Sequence, residues 1–190
     1  MFAPPPQPRH RGCQRPLSCV QVTVAVYYLL LTGLAYLVIA LCASPASQPA
    51  LYIVQSILCG AALVNYFICS LSDVTAPGGV PCICMSSSQN APAHYCPHSG
   101  THVPGFDHFC IYMNVAVGRK TYFFFYLLAL FGLLQFLWQS TSLALVAAGP
   151  WLGPAGSPLP LDSMRAFAGT VAFLSLSGVA AFGSLFLFHS

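Results

Sequence analysis

Asp107-His108-Phe109-Cys110 brings a carboxylate, an imidazole and a thiol within four residues, the three groups of a nucleophilic cysteine site. A free cysteine, with a pKa near ~8.5, is mostly protonated at neutral pH, and the thiol is a far poorer nucleophile than the thiolate. His108 is suited to take the proton from Cys110, and Asp107 to orient the imidazole and stabilise its charged form. Side chains alternate along extended backbone, so a bend is expected to be needed to turn both Asp107 and Cys110 toward His108. Some scaffold must impose it.

The surrounding stretch is dense in metal-type donors. Cys82, Cys84, His94, Cys96, His98, His102, His108 and Cys110 are eight thiols and imidazoles in 29 residues of an otherwise apolar chain. Thiolate and imidazole are the usual zinc ligands, and a structural zinc takes about four of them in a tetrahedron. Cys82, Cys84, His94, Cys96, His98 and His102 are therefore the candidate ligands, for one zinc or two. Their spacing is irregular, with no Cys-x-x-Cys pair, and Cys82-x-Cys84 is a poor chelate.

The elements that position these residues are membrane-like. Hydrophobic residues make up 57% of the chain and charged ones 5%, which predicts an integral membrane protein and no nucleic-acid partner. Four uncharged apolar runs, residues 19–43, 51–71, 122–148 and 166–188, each reach the ~20 residues a helix needs to cross a bilayer. The predicted fold is thus an all-α polytopic membrane protein with four transmembrane helices and a Cys/His-rich loop between the second and third. The first run exceeds the ~7 to 15 residues of a signal h-region and ends in no cleavage pattern, so it is expected to remain. The layout reads as a disordered N-terminus over 1–18, with five prolines in its first 16 residues, spans one and two over 19–71, the loop over 72–121, and spans three and four over 122–188.

Arg9, Arg11 and Arg15 precede the first span and Arg119 and Lys120 the third, while residues 44–50 carry no basic residue and only Arg165 dissents. By the positive-inside rule the N-terminus, the 72–121 loop and the C-terminus are cytosolic. None of the nine cysteines falls in the two connections assigned to the other side, residues 44–50 and the structureless 149–162. Thiols or metal ligands are therefore expected, not disulfides. Cys13 and Cys19, at the edge of span one, are open to S-acylation. Within the spans, Asn65, Gln135 and Gln139 are expected to hydrogen-bond between helices, and Ser177, Ala180, Ala181 and Ser184 to form a small-residue packing stripe. No ionisable residue lies deep in a span, which argues against an ion pump or proton-coupled carrier.

Cys82-Ile83-Cys84, Ala93-His94-Tyr95-Cys96, Asp107-His108-Phe109-Cys110, Asn114 and Val117-Gly118, with Ser72-Asp73, Pro77-Gly78 and Pro81 before them and Tyr122, Phe124 and Phe125 after, resemble without a gap the cysteine-rich region of the Asp-His-His-Cys (DHHC) protein S-acyltransferases, the palmitoyltransferases. The four-span layout with this loop between spans two and three is also the family's. The resemblance implies a protein-cysteine S-palmitoyltransferase of the endomembranes (endoplasmic reticulum or Golgi) whose active loop faces the cytosol. Fatty acyl-CoA, palmitoyl-CoA above all, is the implied donor, proteins bearing cysteines are the implied substrates, and membrane lipid surrounds the spans. Cys110 is the implied acyl carrier, with His108 and Asp107 as catalytic partners, and the acyl chain lies among the four helices. Arg119 and Lys120, following Gly118, could pair with the phosphates of the CoA head group as well as fixing topology.

The family holds two zincs, each through three cysteines and a histidine. In that register the first site has Cys82, Met85, Tyr95 and His102, and the second has Cys96, Ser99, Phe109 and Ala116. The second site is therefore expected to be lost, and a rearranged first site from Cys82, Cys84, His102 and one of His94, Cys96 or His98 is the remaining zinc expectation. Phe109 replaces a ligand, not a catalytic residue. The Thr-Thr-x-Glu segment that usually follows the family's fourth span does not appear. The alternative reading is a truncated or catalytically inactive membrane scaffold derived from the family.

Overall fold

The computed structural model describes residues 8–14, 17–76, 92–149, 151–152 and 160–189. Its long helices are α1 (Cys19–Cys42), α2 (Gln48–Leu71), α3 (Tyr122–Ala148) and α4 (Leu161–His189). All four are long and apolar enough to cross a membrane. They are apolar around most of their circumference, so Leu29, Leu30, Ile57 and Phe173 remain largely exposed, which suits hydrocarbon and not water. The protein is a multi-pass membrane protein of the all-α class.

Helix starts follow their caps more than their hydropathy. The Ser18 hydroxyl accepts the Gln21 amide at 3.0 Å and opens α1. α2 begins at Gln48, ahead of the apolar run, because Pro49 fits a first turn and the Leu51 amide already reaches the Ser47 carbonyl. α4 begins at Leu161, where the Met164 amide bonds the Pro160 carbonyl at 3.0 Å and Asp162 sits at the positive end of the helix dipole. The loop expected over 149–162 thus ends before Leu161, since a polar first turn is invisible to hydropathy.

The chain divides into two compact units, Met1–Val24 with Leu63–Leu128, and Ala25–Ala62 with Ala129–Ser190. In the second unit Val38, Ile39, Leu51, Leu143, Val146, Met164 and Val171 form a buried core. Gln139 sits buried among them, its Nε2 donating to the Leu31 carbonyl at 3.1 Å and the Ser175 hydroxyl at 2.7 Å, its Oε1 accepting from Gln55 at 3.0 Å. One side chain therefore links all four helices. Gln135 likewise donates to the Thr32 hydroxyl at 3.1 Å and accepts from Tyr28, so both glutamines make the interhelical bonds expected of them. The expected small-residue stripe is different: Ser177, Ala180, Ala181 and Ser184 are exposed. The close approach is made at Gly178, where a Cβ would stand 2.5 Å from the Phe136 ring.

The first unit holds two short antiparallel hairpins. β1 (Ala93–Cys96) pairs β2 (Thr101–Pro104), and β3 (His108–Cys110) pairs β4 (Val115–Val117). Cys96, Val103, Val115, Ala116 and Val117 are buried in its core. Asn114, with φ of 54°, takes the left-handed conformation that closes the second hairpin. A Cβ on Gly118 would meet Val103 Cγ1 at 2.7 Å, so glycine lets the chain after β4 lie on β2, where the Arg119 amide bonds the Pro104 carbonyl at 3.0 Å.

Disorder was the expectation for residues 1–18, and residues 8–14 depart from it. The Arg9 amide bonds the Ser99 carbonyl at 2.6 Å, the His10 carbonyl accepts the Val74 amide at 3.1 Å, and the Cys13 amide bonds the Ser70 carbonyl at 3.2 Å. A proline-rich segment has little structure of its own. Here its backbone groups find partners on the first hairpin and at the end of α2.

Candidate active site

His108 and Cys110 are two residues apart on β3, so the period of two puts them on one face and Phe109 on the other. No bend is needed to bring Cys110 to His108, contrary to the sequence-based expectation. Only Asp107, which precedes the strand, must turn. Its amide bonds the Val117 carbonyl at 2.9 Å, and its Oδ2 lies 2.8 Å from His108 Nδ1. Nδ1 is thereby committed, and Nε2 is the nitrogen left to exchange a proton with a thiol.

α3 supplies the wall behind the imidazole. The Tyr122 amide bonds the Gly118 carbonyl at 2.9 Å and the Thr121 hydroxyl accepts the Gly118 amide at 3.2 Å, a tight start that delivers Phe125 in the first turn. The Phe125 ring meets His108 edge to face at 5.1 Å and is 2% exposed. Cys110 is itself buried. Burial disfavours the charged imidazole, but hydrogen bonds with Asp107 and Cys110, and the negative charge of both, outweigh it and raise the His108 pKa to about 9. At neutral pH His108 therefore carries a proton beside Cys110, the partner a thiolate requires.

Rings pack on the opposite face of β3 and across the first hairpin. Phe109 stacks on His98 with centroids 5.0 Å apart, and Tyr95 meets His102 at 5.2 Å. These contacts occupy positions where the family resemblance implies zinc. Of Cys96, Ser99, Phe109 and Ala116 only Cys96 bears a metal donor of the usual kind. Phe109 and Ala116 are cross-strand partners, and the Ser99 hydroxyl lies 2.9 Å from that of Thr101. This set does not fit a zinc.

The rearranged set fares little better among the described residues. Tyr95 pairs with His102 and His94 with Val103, so alternation places His102 on one face of the hairpin and His94 and Cys96 on the other. His98 is turned to Phe109. No three His, Cys, Asp or Glu side chains converge as a metal-holding group among the described residues. Cys82 and Cys84 lie outside them. Arg119 and Lys120 stand immediately before α3, both half-buried. An open cleft in the same unit, lined by His10, Arg11, Cys13, Asp73 and Thr75, includes none of the expected catalytic residues.

Fold and site together define a four-span membrane protein with an Asp-His-Cys cluster on a hairpin module between its second and third spans. A family model for DHHC palmitoyltransferases matches residues 79–190, more than half of the chain, and the protein belongs to that family. Its members are protein S-acyltransferases that carry a zinc-binding cysteine-rich domain and use acyl-CoA. No curated protein sequence matches the chain.

Proposed function

We propose that this chain is an active protein-cysteine S-acyltransferase that carries the acyl group on Cys110. The observation that supports it most is the set of contacts around one imidazole, with Asp107 on Nδ1, Cys110 on the same strand face and Phe125 behind the ring. The Cys110 thiolate attacks the acyl-CoA carbonyl, the bond from carbonyl carbon to CoA sulfur breaks, and the proton held on His108 passes to the departing sulfur. In the second half, His108 takes the proton of the incoming protein thiol. That sulfur attacks the Cys110 thioester, and Cys110 leaves as thiolate beside the restored imidazolium. Asp107 holds the ring and its charge through both halves. Arg119 and Lys120 supply cations for the CoA phosphates. The charge distribution puts the reaction at the cytosolic face, and the family resemblance implies an endomembrane.

The loss of donors at Ser99, Phe109 and Ala116 favours the other reading, an inactive scaffold. Incubation with a clickable palmitoyl-CoA analogue separates the two: hydroxylamine-sensitive label on the wild type that disappears in Cys110→Ala supports the enzyme. Equal label on both assigns the signal to incidental acylation at Cys13 or Cys19.

A further inference from the structure

We infer that Gln21 and Gly12 are positioning residues for Cys110, clamping the turn between β3 and β4 onto the start of α1; for catalysis this rests on the proposed acyltransfer at Cys110. Ser18-Cys19-Val20-Gln21 has the pattern of a reciprocal helix cap, in which the glutamine side chain returns to the amide of the capping serine. Only half of that cap forms. The Gln21 amide bonds the Ser18 hydroxyl, but Gln21 Oε1 is buried without a hydrogen-bond partner among the described residues, so the return bond is not made.

The side chain is used elsewhere. Gln21 is 4% exposed, and its Nε2 donates to the Met113 carbonyl at 3.2 Å, the Gly12 carbonyl at 3.4 Å and the Tyr66 hydroxyl at 3.4 Å. Met113 and Asn114 form the turn that follows Cys110. Gly12 closes the clamp from the other side: a Cβ there would stand 2.4 Å from the Met113 carbonyl oxygen and 3.3 Å from Ser70 Cα and Val115 Cβ. β3 has three residues and a single partner strand. A hairpin that short is marginal by itself, so the placement of Cys110 against His108 depends on what holds its turn. Gln21 and Gly12 do so through one carbonyl.

The test uses the full chain in detergent micelles and two readouts: labelling by the clickable palmitoyl-CoA analogue, and the rate at which N-ethylmaleimide alkylates Cys110 relative to buried Cys96, read by mass spectrometry. Gln21→Met keeps the volume and removes the donor, while Gly12→Ala pushes on the same carbonyl. Each is expected to slow Cys110 labelling at least about tenfold while the acyl-CoA KM stays within about twofold, the pattern of a misplaced reacting group. Each is also expected to speed alkylation of Cys110 but not of Cys96. His10→Ala, two residues before Gly12 and beside Asp73 and Thr75, should change neither. Unchanged labelling with unchanged Cys110 alkylation overturns the inference, as does a parallel rise at Cys96, which would mean general loosening. Should the wild type carry no label on Cys110, the functional reading fails, and selective exposure of Cys110 in the two variants still decides whether the clamp exists.

Discussion

Asp107→Asn isolates the electrostatic part of the site. The substitution keeps an oxygen that can accept from His108 Nδ1 and removes the charge 2.8 Å away. The His108 pKa rises from 6.5 to about 9 against the cost of burial, through Asp107 and Cys110 together. At ~1.36 kcal/mol per unit that shift caps the stabilisation of the charged ring at roughly 3 kcal/mol. Because the His108 and Asp107 side chains are 31% and 40% exposed, solvent screening leaves on the order of 1 kcal/mol. The sign follows from the direction. A raised histidine pKa contributes stability that is complete below the unfolded value and is lost as pH climbs through the folded one, a window from 6.5 to about 9. Asp107→Asn is expected to lower the His108 pKa by about one unit and to move the alkaline limb of the labelling profile down with it. NMR titration of histidine-labelled protein in micelles reads the first, and labelling against pH the second. Identical His108 titration in both proteins would refute the assigned role of Asp107.

Further expectations concern the neighbours of the imidazole and the metal. His108→Ala should lower the rate of Cys110 labelling by ~10²- to 10⁴-fold with little change in expression, and labelling at the wild-type rate would remove His108 from the mechanism. Phe125→Leu keeps an apolar wall but loses the ring edge against His108. It should cost about 1 kcal/mol of thermal stability and lower labelling without changing the KM for acyl-CoA, whereas a changed KM alone would place Phe125 in substrate binding. Metal analysis of purified protein should find no more than one zinc per chain, because Ser99, Phe109 and Ala116 offer no ligand set; two equivalents would contradict that.

The four spans were legible because hydropathy over ~20 residues is a coarse and strong signal, and Gln135 and Gln139 because an amide in an apolar span needs a partner. What escaped depends on register or on distant partners. The parity that separates His102 from His94 and Cys96 exists only once β1 is paired with β2. For His108 and Cys110 no pairing is involved: their spacing of two puts them on one face of any strand, so the bend expected there was not needed and only Asp107 must turn. Residues 8–14 look unstructured by composition, since proline and arginine advertise no element, yet their order comes from carbonyls and amides of Ser70, Val74 and Ser99. Gln21 carries no signal in the sequence that singles it out. Its diversion to Met113, 92 positions away, left no local trace.

The central claim is an acyl group on Cys110. Intact mass and peptide mapping of the wild-type chain after palmitoyl-CoA treatment should show one hydroxylamine-labile acyl adduct on the peptide containing Cys110, lost in Cys110→Ala and slow to form in His108→Ala. An adduct confined to Cys13 or Cys19, unaffected by either substitution, would contradict the account.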